Sequence, residues 1–176
     1  MKILVTGGAG YIGSVVTTEL LKAGHEVVVF DNLSRGHRRA LPKAATLMVG
    51  DVTDRESLNL LFKSHSVEAV MHFAALIEVA ESMKVPEQYY RNNSVGTLTL
   101  LDAMLSVGVK KFVFSSTAAL YGNPERTPIQ EEDKLAPTNP YGDSKFLVER
   151  MLGWMHEIHG LRYASLRYQR IRRGPT

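Results

Sequence analysis

A run of glycines set directly behind a short apolar strand constrains this chain more than any other feature. Lys2-Ile3-Leu4-Val5-Thr6 is apolar and rich in β-branched residues, and Gly7-Gly8-Ala9-Gly10-Tyr11-Ile12-Gly13 follows it at once. A segment of helical period, Tyr11–Ala23, opens behind the glycines. Gly7, Gly10 and Gly13 recur every three residues. In a strand–turn–helix unit, such glycines permit a tight turn, let backbone approach a pyrophosphate, and let the helix pack close to the strand. The amides and dipole of the helix N-terminus then face the anion. A glycine pattern alone also fits an ordinary turn; the strand before it and the helix behind it select the phosphate-binding reading.

The remainder repeats the same alternation. Strands are expected at Lys2–Thr6, Glu26–Asp31, Thr46–Gly50, Ala69–Phe73, Lys111–Ser115 and Tyr163–Tyr168. Helices are expected at Tyr11–Ala23, Asp54–His65, Pro86–Val107 and Tyr141–His159. Gly24 and Gly108 each follow a helical segment, where glycine takes the left-handed conformation without a Cβ clash. Leu33–Pro42 reads as a loop with at most a short turn, and Gly122–Pro140, rich in proline and charge, as a surface loop. This order predicts an α/β fold in one domain, residues 1–168, with a Rossmann-type, doubly wound parallel sheet flanked by helices. Its ligand crevice would lie at the carboxyl ends of the strands.

Composition excludes several classes. The chain has no cysteine, so a disulfide framework and a thiolate metal site are both out, and a reducing compartment, by default the cytoplasm, is expected. No His/Asp/Glu group has ligand spacing, so no metal is expected. No apolar run is long enough for a signal segment or a membrane span. The net charge is +3, but Arg170, Arg172 and Arg173 account for all of it, and the rest of the chain makes no electrostatic case for nucleic acid.

Asp31 ends the second strand 18 residues beyond Gly13, close to where a carboxylate accepts hydrogen bonds from the adenosine ribose. It favours NAD, because it would repel the 2′-phosphate of NADP, although Arg35 in the next loop pulls the other way. A solvated aspartate capping a loop is the plain alternative. Asp51 either meets the adenine or belongs to a helix N-cap within Asp51-Val52-Thr53-Asp54.

Tyr141 and Lys145 stand at i and i+4 on one helix face, where an ammonium would stabilise phenolate and draw the tyrosine pKa down from its ordinary value of about 10. That makes the phenol a usable base for a sugar hydroxyl. Thr117, 24 residues earlier at the end of the fifth strand, is the candidate to bind the substrate hydroxyl and share its proton with Tyr141. Ser115 and Ser116 fit strand-end hydroxyls serving backbone groups, and His72 fits a buried, hydrogen-bonded histidine.

Together these motifs resemble the extended short-chain dehydrogenase/reductase family and, within it, the UDP-glucose 4-epimerases, over nearly everything up to Tyr168. The most specific pieces are Val5 through Gly13, Asp31-Asn32-Leu33, Gly50-Asp51, His72-Phe73-Ala74-Ala75, Asn92-Asn93, Tyr121-Gly122, and Asn139-Pro140-Tyr141-Gly142 leading into Lys145. The resemblance implies that Tyr11 and Ile12 meet the pyrophosphate. Asp31, Asn32, Leu33, Ser34, Arg35 and Gly36 would surround the adenosine ribose, and Asp51 with Val52 the adenine. Phe73, Ala74, Ala75, Leu76 and Ile77 would line the nicotinamide ribose, joined by Asn92. Thr117, Tyr141 and Lys145 would be the catalytic group of an isomerase in galactose metabolism. Bound NAD would oxidise C4 of a UDP-sugar transiently and return the hydride to the other face. Relatives also imply a homodimer through helices matching Pro86–Val107 and Tyr141–His159.

Two departures stand out. Ile77 occupies a position where several family members carry lysine, which would weaken cofactor retention. After Leu166-Arg167-Tyr168 the family continues Phe-Asn-Ala, whereas this chain has Gln169-Arg170-Ile171-Arg172-Arg173-Gly174-Pro175-Thr176. Synonymous codons exist for which two restored nucleotides at codon 169 recover Phe-Asn-Ala-Ser-Gly-Gly, so residues 169–176 read as an aberrant basic tail from a frame slip. The family's C-terminal substrate domain is then missing, and weak or no turnover is expected. A 4,6-dehydratase of the same family is disfavoured, because Thr117 is followed by Ala118-Ala119 rather than an acidic pair. Epimerases of other nucleotide sugars and a non-catalytic NAD-binding fragment remain as alternatives.

Overall fold

The computed structural model describes residues 1–168; the tail for which the sequence suggests a frame slip lies outside the described residues. Six strands, β1 (Lys2–Thr6), β2 (Glu26–Asp31), β3 (Thr46–Val49), β4 (Ala69–His72), β5 (Lys111–Ser115) and β6 (Arg162–Leu166), form one sheet in the order β3-β2-β1-β4-β5-β6. Every neighbouring pair is parallel. The chain steps outward from β1 to β3 and then returns to the other side of β1 at β4. The loops after β1 and β4 therefore leave in opposite directions and open a crevice at that switch point.

The helices are α1 (Tyr11–Lys22), α2 (Arg55–Ser64), α3 (Val79–Ser82), α4 (Pro86–Tyr89), α5 (Gly96–Ser106) and α6 (Pro140–His159). Strand alternation divides the core. Ile3, Val5, Val27 and Val29 point to one face, against Leu20 and Leu21 of α1. Leu4, Val28, Phe30, Val70, Phe112 and Phe114 point to the other, against side chains of α2, α5 and α6. Strands buried on both faces read as unbroken apolar runs rather than alternating ones, which is the pattern in β1 and β2.

The expected helix Pro86–Val107 is not one element. It breaks at a wider, π-type turn, Tyr90–Val95, between α4 and α5. There Asn93 is buried: its side-chain oxygen accepts from the Leu76 amide at 2.9 Å, and its NH2 donates to the Leu76 carbonyl and to Ser144 Oγ. A polar side chain so occupied holds its backbone off the regular ladder, and π-type turns often sit at functional sites. Two short elements have no counterpart in the sequence reading, α3 and a 3₁₀ turn at Ala118–Tyr121; both lie beyond the carboxyl edge of the sheet. The last strand covers Arg162–Leu166 rather than Tyr163–Tyr168.

Candidate active site

The crevice at the switch point is a cleft of about 1290 Å³. The glycine turn forms its floor. Gly7 has φ +68°, and a Cβ there would run into the backbone of Phe73 and Ala74 at the end of β4. At Gly13 a Cβ would run into the carbonyl of Gly7. The close approach of α1 to β1 and β4 therefore requires both to be bare. The N-cap of α1 is Gly10, which offers no side-chain oxygen, and the first turn holds no acidic residue. The amides beside Tyr11 and Ile12 thus face the cleft without a carboxylate to compete for an anion. This geometry fits a pyrophosphate.

Asp31, nearly fully buried, braces the floor. Its Oδ2 accepts from the Ala9 amide at 2.9 Å and its Oδ1 from the Leu33 amide at 2.8 Å. An ionised carboxylate has lone pairs beyond these two bonds, so it can still receive a ribose hydroxyl. Asn32, Ser34, Arg35, Gly36 and Val52 line the same end of the cleft. Leu33 and Asp51 do not line it. Leu33 takes the turn, at φ +59°. Asp51 is occupied by the Thr53 amide and hydroxyl and by Asn32 Nδ2, while Asp54 caps α2. These hydrogen bonds outweigh partial burial and lower the Asp51 pKa.

The opposite wall carries Phe73 through Ile77 and Asn92. Asn93, one residue on, points inward and clips the Leu76 backbone to α6 through Ser144. The Asn92-Asn93 pair marks the place in the sequence, but only burial shows that the two side chains do different work.

Thr117, Tyr141 and Lys145 meet at the far end of the cleft. The Thr117 hydroxyl lies close enough to the Tyr141 phenol to pull its pKa down, and it accepts from the Ala119 amide. Asn139 caps α6, its Oδ1 accepting from the Gly142 amide at 2.8 Å, and so fixes the turn that bears Tyr141. Lys145 is fully buried, with Nζ donating to the Ser115 carbonyl at 3.0 Å and lying 4.7 Å from the Phe114 ring centre.

The electrostatics differ from the expectation. Burial raises the Tyr141 pKa, Thr117 pulls it back in part, and Lys145 is not among the groups acting on it. The ammonium is engaged by Ser115 instead, and burial pushes its own pKa down to about 7. Desolvation of both groups thus outweighs the pairing that i, i+4 spacing suggests.

Ser116 donates to Glu149 Oε1 at 2.5 Å, and Arg167 grips the same carboxylate while also donating to the Tyr121 hydroxyl. This set ties the end of β5, α6 and the segment after β6 together beneath Thr117. The sequence marks Ser116, Tyr121 and Arg167 separately but neither Glu149 nor the link among them, because the partners lie 18 to 46 residues apart. His72 is buried between Thr6 and Thr97, 2.6 and 2.9 Å away, and burial takes its pKa down to about 3, so it is a neutral structural histidine. Among the described residues no group of His, Asp or Glu is placed to hold a metal, and no helix is long and apolar enough to cross a membrane.

Comparison with known proteins agrees with this architecture. The model of the NAD dependent epimerase/dehydratase family matches residues 3–171. A UDP-glucose 4-epimerase of Halalkalibacterium halodurans is 53% identical over 168 residues, covering 96% of this chain and 50% of that protein. The solved structure of UDP-glucose 4-epimerase from Brucella ovis in complex with NAD superposes with a TM-score of 0.93 at 43% identity, covering 96% of this chain and 51% of that one. The Thermotoga maritima enzyme, solved with UDP-glucose, superposes with a TM-score of 0.92 at 40% identity, over 96% of this chain and 55% of that one. The chain thus spans about half the length of the relatives it matches. With a glycine cradle at one end of its cleft and a threonine, tyrosine and lysine at the other, the chain belongs to the NAD-dependent epimerase/dehydratase family.

Proposed function

We propose that this chain carries the NAD site and the proton-transfer group of a UDP-glucose 4-epimerase, an isomerase that interconverts UDP-glucose and UDP-galactose. The observation that carries the proposal is the meeting of Thr117, Tyr141 and Lys145 in the cleft whose floor is the glycine cradle. Likeness to the Halalkalibacterium, Brucella and Thermotoga epimerases supports the substrate.

When bound, NAD supplies the acceptor for the hydrogen on C4 of the sugar. The residues manage the proton and the position. Tyr141 exchanges the O4 proton, with Thr117 bridging the phenol and the sugar hydroxyl. Lys145 holds the end of β5 through the Ser115 carbonyl, which keeps Thr117 against Tyr141. The acidic pair that dehydration at the neighbouring carbon would need is replaced by Ala118 and Ala119. Pairing of two copies through α5 and α6 belongs to the same proposal, and sedimentation of the purified chain tests it.

A second reading, a cofactor-binding module without turnover, is favoured by the unpartnered edge of β6. Among the described residues β6 has no partner on its outer edge, and the buried hydroxyl of Ser165 within β6 lacks a hydrogen-bond partner. The expected outcome for the purified chain is therefore NAD retention with slow conversion of UDP-galactose. Tyr141→Phe should abolish that conversion while leaving NAD bound. If UDP-galactose produces neither product nor reduced nicotinamide absorbance while NAD stays bound, the second reading holds and the first is lost.

A further inference from the structure

Arg35 lies four residues beyond Asp31 in the loop after β2, at the adenosine end of the cleft. A guanidinium in that loop is the group that accommodates the 2′-phosphate of NADP in dinucleotide-binding folds. Here its charge is already taken. Arg35 Nη2 reaches to the opposite wall and donates to both oxygens of Glu81, at 2.9 and 2.8 Å. Glu81 stands on α3, which follows β4 across the switch point. It is held from behind, because the hydroxyl of the fully buried Tyr89 lies 2.7 Å from its Oε2. These bonds keep the Glu81 carboxyl below its ordinary pKa, so it is ionised throughout the neutral range.

The geometry points to Glu81 as a cofactor-specificity residue, one that excludes NADP by withholding Arg35 from the 2′-phosphate. The assignment rests on the NAD site described above. Asp31 repels the phosphate from the β2 side, and Glu81 removes the cation that would compensate. The pair is half-exposed, 51% and 38% for the two side chains, so it adds little to folding and its loss leaves the fold in place. Its effect falls on the ligand, because a freed guanidinium can make charge-assisted bonds to a phosphate.

The test measures dissociation constants of NAD and NADP, by equilibrium dialysis, for the 176-residue chain, Glu81→Gln, Arg35→Gln and the double variant, with thermal melts to confirm folding. Glu81→Gln should tighten NADP by roughly tenfold, the worth of about one hydrogen bond to a charged group, and leave NAD within about twofold. The gain should shrink as ionic strength rises. It should vanish in the double variant, which a merely structural role for Glu81 would not produce. An unchanged NAD/NADP ratio in Glu81→Gln, or a gain that survives loss of Arg35, overturns the inference and leaves the NAD site standing. Failure of the unmodified chain to bind NAD overturns both.

Discussion

Lys145 shows how a single side chain can set the pH response of the fold. Burial lowers its pKa from an ordinary 10.5 to about 7. Between those values the unfolded chain binds a proton that the folded chain does not, so stability rises with pH across that window. Below about pH 7 both states are protonated and the penalty of burying the ammonium is at its full value. Lys145→Met removes the titration. Urea unfolding at a series of pH values from 7 to 9 should show a rising free energy for the original chain and a flat one for the variant. The raised phenols of Tyr141 and Tyr168 act in the opposite sense, and only above their ordinary 10, so they do not disturb this range. A slope that persists in Lys145→Met would mean that another group carries it.

At the scale of elements, α6 connects capping to chemistry. Asn139 holds the first turn of α6, and Tyr141 stands in that turn. Asn139→Ala should cost about 1 kcal/mol of stability in urea unfolding, and Asn139→Asp should restore most of it. If the alanine variant is as stable as the original, the cap is not what orders this turn. Asparagine followed by proline is a helix start written in residue types, yet the sequence reading ends the surface loop at Pro140 and begins the helix at Tyr141, so the cap itself comes from the structure. The glycine turn was legible because its spacing, and the contact of Gly13 with the Gly7 carbonyl, lie within seven residues; the approach of Gly7 to Phe73 and Ala74 was not. The break at Tyr90–Val95 was not, because periodicity runs through it and the cause is Asn93 bonding to Leu76 and Ser144, 17 and 51 residues away. The strap from Arg35 to Glu81 and the Glu149–Arg167 pair escaped for the same reason. The i, i+4 spacing of Tyr141 and Lys145 fits their shared place in the cleft but not their charge coupling, because spacing does not register that burial desolvates both groups while Ser115 accepts from the ammonium.

At the scale of the whole molecule, the cleft joins two halves of the sheet that the chain builds separately. The floor and the Asp31 wall come from β1 to β3, whereas Phe73, Asn92 and the Thr117–Tyr141 end come with β4 and the elements after it. A dinucleotide lying along the cleft would touch both halves, so its binding energy would oppose opening of either. At a hundred times its dissociation constant, a ligand bound only by the folded state stabilises that state by about 2.7 kcal/mol. For a chain of this size that corresponds to a rise of roughly 5–10 °C in Tm. Saturating NAD should therefore move the entire melting transition, followed by circular dichroism, by that amount. Gly13→Ala, whose Cβ would meet the Gly7 carbonyl, should melt cooperatively but show no response to NAD. If NAD shifted only part of the amplitude, the halves on either side of the switch point would be unfolding separately, and the cleft would be a junction between two stability units.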